Sequence, residues 1–124
     1  MRRAITINEN GMVVLSGNSE EEVWMTAWEI AGLFNVTTTA VNGAIKVIRK
    51  QDVLNDYEVC RYVQLENGLY ADVYSLEIII PIAFRLDTYY THAFRSWLVG
   101  KALAKGNKQT SYMVFMQNGK GSNN

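Results

Sequence analysis

The sequence has few of the residues that build disulfide-linked, metal-bound or catalytic sites. Cys60, His92 and Pro81 are the only cysteine, histidine and proline in the chain. A single cysteine excludes an intramolecular disulfide, and we expect Cys60 to be a structural strand residue of a protein in the reducing cytoplasm. No metal-ligand spacing, phosphate-binding loop or nucleophile motif is present. We therefore expect no catalytic residue, no metal site, no cofactor and no small-molecule ligand, and a protein that is not an enzyme.

Long hydrophobic runs and a net charge are also missing. The longest apolar run, Ile78–Phe84, is broken by Pro81 and is far too short to cross a membrane. The first residues, Met1–Arg3, lead into a strand pattern, so we expect no signal peptide. The chain has 12 Lys and Arg against 12 Asp and Glu, so its formal net charge is zero. These features predict a cytoplasmic protein with no membrane partner and no overall attraction to nucleic acid.

Charge is nevertheless distributed unevenly along the chain. Three consecutive acids, Glu20–Glu22, lie in the N-terminal part. No acid follows Asp87, whereas five basic residues do: Arg95, Lys101, Lys105, Lys108 and Lys120. A basic C-terminal third could form one face together with a basic helix elsewhere in the chain.

Residues 25–50 have the pattern of two short helices joined by a tight turn. The first helix is expected from about Thr26 to Phe34, with Thr26 and Glu29 forming a capping box. Its apolar residues have the spacing of one helix face: Ile30, Leu33 and Phe34. Asn35 follows and tolerates the left-handed conformation that a sharp turn requires. This order of residues indicates a helix-turn-helix.

The second helix of the pair carries the candidate site. Thr37 can cap this helix, and its buried side is predicted from apolar spacing at Val41, Ala44, Ile45 and Ile48. No acid lies between Thr37 and Gln51, so the local field suits a polyanion. The residues predicted to bind nucleic acid are Thr37, Thr38, Thr39, Asn42, Lys46, Arg49 and Lys50. In a DNA-binding helix-turn-helix this face enters the major groove, with threonine and asparagine at base edges and cations at phosphates.

Two hairpins are predicted around the helix pair. Residues 4–15 alternate and turn at Asn10-Gly11, and residues 58–75 contain two strands that turn at Asn67-Gly68. A hairpin that follows a helix-turn-helix is the arrangement called a wing. Arg61 is the only basic residue of this hairpin, so we expect the hairpin to serve structural packing. Trp24 is expected in the core. Trp28 lies off the apolar stripe of its helix and could pack against the hairpin or remain partly exposed, with the core as the preferred interpretation.

Two further helices are predicted before the C-terminal tail. Ser75 can cap a short helix whose apolar face would be Leu76, Ile79, Ile80 and Ala83, with a kink at Pro81; a strand at residues 78–80 is the alternative. Asp87 or Thr88 would cap a longer helix that runs to about Ala104 and ends at Gly106. Its amphipathic stripe is Tyr90, Phe94, Trp97 and Leu98. Arg85 and Arg95 are expected to have a structural role at the junction of these two helices. We expect Tyr112–Met116 to be a short strand-like segment. The last residues of the chain are expected to be flexible.

Together these elements predict an α+β fold: a winged-helix-like helix-turn-helix domain with β-hairpins and a long C-terminal helix. We expect residues 1–106 to form this single domain and residues 107–124 to be a C-terminal extension with a flexible tail.

Two stretches of the chain, taken together, are similar to the signatures of one known family. The first is VWMTAWEIAGLFNVTTTAVNGAIK, which resembles the N-terminal helix-turn-helix of the RhuM-like family. The second is VYSLEIIIPIAFRL followed by HAFRSWLVGKAL, which resembles that family's next signature. The matching positions are Tyr74, Leu76, Ile79, Phe84, Arg85, Phe94, Arg95 and Trp97. The resemblance covers about residues 20–105 and implies a DNA-binding-like module in the bacterial cytoplasm, linked to mobile elements and pathogenicity islands.

The leading hypothesis is a DNA-binding protein of a bacterial mobile element or pathogenicity island that binds duplex DNA through its second helix. A homodimer is expected, since a single short helix-turn-helix usually gains affinity by pairing half-sites. The alternative is a protein-protein interaction module on a winged-helix fold without DNA binding, which is favoured by the neutral net charge and the acidic wing. An enzyme is the weakest hypothesis, since nothing in the spacing pairs His92 with an acid.

Overall fold

The computed structural model describes residues 2–17, 22–51 and 56–104. In chain order its elements are β1 Ile5–Ile7, β2 Val13–Leu15, α1 Ala27–Phe34, α2 Thr38–Lys50, α3 Asp56–Val59, β3 Cys60–Gln64, β4 Tyr70–Tyr74, α4 Leu76–Arg85 and α5 Tyr89–Ala104. β1 pairs with β2 and β3 with β4, each as an antiparallel two-stranded sheet. The predicted α+β class is confirmed.

The first hairpin turns where the sequence predicted. The Asn8 side-chain oxygen accepts hydrogen bonds from the backbone N–H groups of Asn10 and Met12, both at 2.9 Å. Gly11 has a φ of 82°, which glycine adopts without steric cost. The strands then pair from Ile5 opposite Leu15 to Ile7 opposite Val13. One face of this hairpin closes the core, since Ile5 is fully buried.

The second hairpin also forms, but its first strand begins later than predicted. Pairing runs from Cys60 opposite Tyr74 to Gln64 opposite Tyr70, and Gly68 takes the left-handed conformation at the turn, with a φ of 92°. Glu58 and Val59, predicted as strand residues, instead belong to α3. A helical turn there buries Val59 in the core and leaves its carbonyl to accept the Ser75 N–H.

The main core lies between α1, α2, α4, α5 and β1. Phe34 at the end of α1 meets Phe94 of α5 edge to face, with ring centroids 5.5 Å apart. Both rings are fully buried, together with the aliphatic side chains Ile30, Val41, Ile78, Ile79 and Ile82. Burial of this set supplies most of the driving force that holds α2 in place.

The two tryptophans at the start of the helix pair, Trp24 and Trp28, differ in their exposure to solvent. Trp24 is buried as predicted, and its indole N–H donates to the Glu22 carboxylate at 3.1 Å. The prediction for Trp28 is wrong, because 53% of this residue is exposed. The buried residues of α1 are Ala27, Ile30, Ala31, Leu33 and Phe34. Trp28 is outside this buried set and lies on the exposed side of the helix.

Helix α4 runs without interruption through Pro81, so the alternative of a strand is excluded. Ser75 caps it, with its hydroxyl oxygen accepting the Glu77 N–H at 3.3 Å. The predicted apolar face is partly wrong: the buried residues are Ile78, Ile79, Ile82 and Ala83, whereas Leu76 and Ile80 are half-buried at the core edge. Because α4 packs on both α2 and α5, its buried arc is set by those two neighbours.

Helix α5 is capped by Thr88, one of the two predicted caps. The Thr88 hydroxyl oxygen accepts the Thr91 N–H at 3.1 Å, and its hydrogen is donated to the Phe34 carbonyl at 2.8 Å. Phe94 is buried as predicted, and the buried set continues with Thr91 and Ala102, whereas Tyr90, Trp97 and Leu98 are half-buried. The end predicted at Gly106, the segment Tyr112–Met116 and the tail lie outside the described residues. No helix in residues 2–17, 22–51 and 56–104 has the length and apolar character needed to cross a membrane.

Arg95 has the structural role that the sequence predicted. Its guanidinium donates to the backbone carbonyls of Ala83 at 2.6 Å and Leu86 at 3.2 Å, and it lies 3.7 Å from the Asp87 carboxylate. These contacts hold the α4–α5 junction. Arg85 is exposed at the end of α4.

Arg2 and Glu29 join the N-terminus to α1. The Arg2 guanidinium donates to both Glu29 carboxylate oxygens, at 2.7 and 3.1 Å, and to the Trp24 carbonyl at 2.8 Å. Glu29 also accepts the Thr26 N–H at 2.8 Å. Burial opposes ionisation of Glu29, but the hydrogen bonds from Arg2 and Thr26 outweigh it and lower the pKa of this carboxyl.

The Arg2–Glu29 ion pair is expected to make the stability of the protein depend on pH. Because the folded pKa of Glu29 lies below its unfolded value of about 4.3, the carboxylate stabilises the fold above that pH, and the contribution is lost as pH falls through the folded pKa. We expect Glu29→Gln to cost about 1 kcal/mol at neutral pH and almost nothing in strong acid. Urea unfolding of wild type and variant, at neutral pH and in strong acid, measures this change in the free energy of unfolding. Glu77→Gln is the control, and equal losses for both variants would contradict the prediction.

Candidate nucleic-acid interface

Three local features that the sequence predicted fix the start of α1 and the turn between α1 and α2. Thr26 and Glu29 form a capping box at the start of α1, in which the Thr26 hydroxyl accepts the Glu29 N–H at 3.1 Å. Asn35 adopts the left-handed conformation, with φ 57° and ψ 50°. Thr37 then caps α2 by accepting the Ala40 N–H at 3.0 Å. The capping box fixes the start of α1, whereas the left-handed Asn35 and the Thr37 cap set the angle at which α2 leaves the turn.

Helix α2 is anchored on one side only. Its predicted buried stripe is confirmed, since Val41, Ala44, Ile45 and Ile48 are each at most 7% exposed. This stripe packs on α1 and α4. The other side of the helix faces solvent along its length, which makes α2 a rigid and accessible surface.

All seven predicted site residues lie on the solvent side of α2 or at its cap. They are exposed in every case: Thr37, Thr38, Thr39, Asn42, Lys46, Arg49 and Lys50. Since successive helix residues are rotated by about 100°, they form two rows. One row contains Thr38, Asn42 and Arg49, and the other contains Thr39, Lys46 and Lys50. The hydroxyl and amide groups lie toward the start of the helix and the cations toward its end.

Two further residues of this face were missed by the sequence analysis. Gly43 and Val47 are exposed along one edge of the polar residues, next to Thr39 and Lys50, and a Cβ built on Gly43 would meet nothing within 4 Å. Both follow Thr39 at successive spacings of four, so helical periodicity alone could have placed them. Gly43 leaves the edge of the polar face flat beside Thr39 and Lys50, and so allows another surface to approach the helix backbone closely there.

A groove runs along the C-terminal half of α2 and was also missed. It has a volume of about 370 Å³ and is lined by Asn42, Ile45, Lys46, Arg49, Lys50 and Tyr74. Tyr74 is the last residue of β4, so the second hairpin forms the far wall. Burial raises the pKa of Tyr74, the negative potentials of Cys60 and Asp72 raise it further, and Arg49 opposes them. The phenol therefore keeps its proton at neutral pH.

The groove has the chemistry of an anion site. Three cationic side chains and a protonated phenol line it, whereas no acid occurs anywhere in α2. Phosphate oxygens are bound in proteins by this combination of charged and neutral donors. The structure therefore brings the predicted phosphate-binding residues Lys46, Arg49 and Lys50 together at one place.

The two basic residues of α5, Arg95 and Lys101, do not line this groove. Lys101 lies on α5, with its ammonium 5.8 Å from the centroid of the Trp97 ring, and does not line the groove. Lys105, Lys108 and Lys120 lie outside the described residues. The predicted continuous basic face from α2 to the C-terminal third therefore stays a prediction.

Comparisons with known proteins do not extend this description. No protein-family model, curated protein or solved structure matches the chain. Within the part of the chain that the structure describes, no group of three His, Cys, Asp or Glu side chains could hold a metal ion.

Proposed function

We propose that this protein binds duplex DNA through α2, which enters the major groove as the recognition helix of a winged-helix-like helix-turn-helix. One observation carries the proposal: α2 is anchored by a buried stripe, and its free side bears base-reading groups followed by three cations, without a single acid. This distribution supports duplex binding even though the net charge of the chain is zero.

The proposal gives each part of the face a role. Thr38, Thr39 and Asn42 meet base edges, with the Asn42 amide suited to bidentate hydrogen bonds to adenine. The three cations at the end of α2 bind phosphates in the groove, and the Tyr74 hydroxyl donates to one of them. Thr37 caps the helix with its oxygen and can still donate its hydrogen to a phosphate.

The β3–β4 hairpin is the wing in this proposal, since it follows the helix pair and its residue Tyr74 borders α2. We also keep the resemblance to the RhuM-like family, and with it a place in the cytoplasm of a bacterium that carries a mobile element, as part of the proposal. A homodimer would present two such helices to half-sites. Light scattering coupled to size exclusion measures this, and a mass of 14.0 kDa at high concentration would exclude the dimer.

The proposal is tested by titrating the protein into a fluorescent random-sequence duplex at several salt concentrations. Three phosphate contacts predict a slope of log Kobs against log salt of roughly −3. The absence of binding by the folded protein at low salt would contradict the proposal.

Gly43 provides a prediction that separates binding from stability. Gly43→Ala removes a flexible residue from an exposed helix interior, so we expect the free energy of unfolding to rise by about 0.5–1 kcal/mol. The added methyl group holds the recognition face off the DNA, and we expect it to weaken duplex binding by about 1 kcal/mol, roughly fivefold in Kd.

Gly100→Ala is the matched control, because Gly100 is also exposed in a helix interior with open space around it. It should stabilise the protein by a similar amount and leave duplex binding unchanged. Equal effects of both variants on binding would show that α2 does not approach DNA closely.

The alternative function is a protein-protein interaction module. It is favoured by the exposure of Trp28 on α1 and of Val47 on α2, both large apolar side chains on the helix pair. In that case the salt titration would detect no duplex binding, whereas Trp28→Ala would abolish capture of the partner.

A further inference from the structure

One face of the wing carries an aromatic pair that the proposed roles do not use. Residues opposite each other in the β3–β4 ladder share a face, and side chains alternate between faces along each strand. The ladder pairs Tyr62 with Asp72 and Gln64 with Tyr70. These four residues, which we call the wing face, therefore lie on the same side of the hairpin as Tyr74 at its base.

The two tyrosines of the wing face are stacked and open to solvent. Their ring centroids are 5.6 Å apart with an interplanar angle of 23°. Tyr62 is 71% exposed and Tyr70 is 58% exposed, and Leu69 beside the turn is 67% exposed. A cross-strand aromatic pair stabilises a hairpin through the inner ring faces, which contact each other. The outer ring faces are not needed for that role. The high exposure indicates that the outer ring faces remain accessible.

The wing face has no cation with which to bind phosphates. Arg61 lies on the opposite face of the hairpin, with its guanidinium 4.1 Å from the centroid of the buried Trp24 ring. The one charged residue of the wing face is Asp72, which repels phosphates. Aromatic ring faces bind nucleobases by stacking, whereas phosphates are bound by cations, which lie in the α2 groove and not on the wing face.

The wing face is continuous with the α2 groove. Tyr74 lines that groove and stands at the base of the same face of the hairpin. With a rise of about 3.3 Å per residue, the level of Tyr62 is about 7 Å from Tyr74 along the strand, and that of Tyr70 about 13 Å. A strand whose phosphates occupy the groove would therefore reach the tyrosine pair within a few nucleotides.

We propose that the wing face binds unpaired nucleobases by stacking on Tyr62 and Tyr70, next to a duplex held by α2. The preferred substrate class is then a duplex with a single-stranded extension or an unpaired junction. This inference rests on the proposed function, since α2 supplies the duplex contact. Base pairs inside a duplex are stacked on both sides and present only their edges, so the interior of a duplex cannot stack on these rings.

The test compares a blunt duplex with the same duplex carrying a short single-stranded thymine extension. We expect the extension to tighten binding at least about fivefold, the smallest effect of one stacked base. The double variant Tyr62→Thr/Tyr70→Thr keeps residues that favour strands and should lose this preference. Its affinity and salt slope on the blunt duplex should equal those of the wild type, because no phosphate contact is removed.

Two further variants make the comparison specific. Tyr62→Phe/Tyr70→Phe keeps the rings and should keep the preference for the extension. Tyr89→Thr removes another exposed tyrosine, which lies on α5, and should have no effect. Circular dichroism establishes that each variant is folded before its binding is compared.

The outcomes separate the two proposals. Equal affinity of the wild type for both DNAs would overturn the inference and leave duplex binding by α2 intact. A folded threonine variant that loses blunt-duplex binding would also overturn it, because the wing would then contact paired DNA. Binding to neither DNA would overturn the proposed function and the inference together.

Discussion

Lys46→Ala/Arg49→Ala is expected to reduce affinity for duplex DNA by roughly 100-fold, because each side chain supplies a charge-assisted contact of about 1.5 kcal/mol. The slope of log Kobs against log salt should also fall by about 2, one for each lost phosphate contact. Both residues are exposed on α2, away from its buried stripe. The free energy of unfolding should therefore change by less than about 1 kcal/mol.

The matched control is Arg85→Ala/Lys101→Ala. It removes the same two positive charges from exposed positions on α4 and α5 that do not line the groove. We expect its salt slope to equal that of the wild type. Equal losses of affinity in the two double variants would mean that total charge, and not the α2 groove, determines binding.

Phe94→Ala is expected to have the largest effect on stability, a loss of about 3–5 kcal/mol. Phe94 is fully buried, meets Phe34 edge to face and lies 5.7 Å from Trp97 between ring centroids. Its removal leaves a cavity between α5 and the end of α1. Since a domain of this size has about 5–15 kcal/mol of stability, the variant loses a large share of it. Urea unfolding followed by circular dichroism measures the difference.

Phe84→Ala is the control for this loss. Phe84 is 53% exposed, and its ring centroid lies 5.9 Å from the Arg95 guanidinium, so we expect its removal to cost about 1 kcal/mol or less. Similar losses for the two phenylalanines would contradict the description of α5 as part of the core that supports the helix pair.

The parts of the fold that follow from local chemistry were predictable from the sequence. The capping box at Thr26, the left-handed turn at Asn35 and the glycines at the two hairpin turns act within a few residues. The same holds for the solvent side of α2, because helical spacing separates its apolar stripe from its polar face. These local rules are sufficient to identify the seven candidate site residues from the sequence.

The features set by tertiary packing were not predictable in this way. For Trp28 the core was preferred over partial exposure, but 53% of this residue is exposed. The apolar residues of α4 cover most of its circumference, so the sequence could not decide which arc faces α2 and α5. The place of Tyr74 in the groove depends on how the second hairpin packs beside α2. The residue spacing within either element does not predict this packing.

The central claim, that α2 is the DNA-binding element, is tested most directly by mapping backbone amide chemical shifts while duplex DNA is titrated into the isotopically labelled protein. We predict that the largest changes lie in residues 37–50 and at Tyr74, and that α5 changes little. Large changes along α5 with an unperturbed α2 would contradict the account.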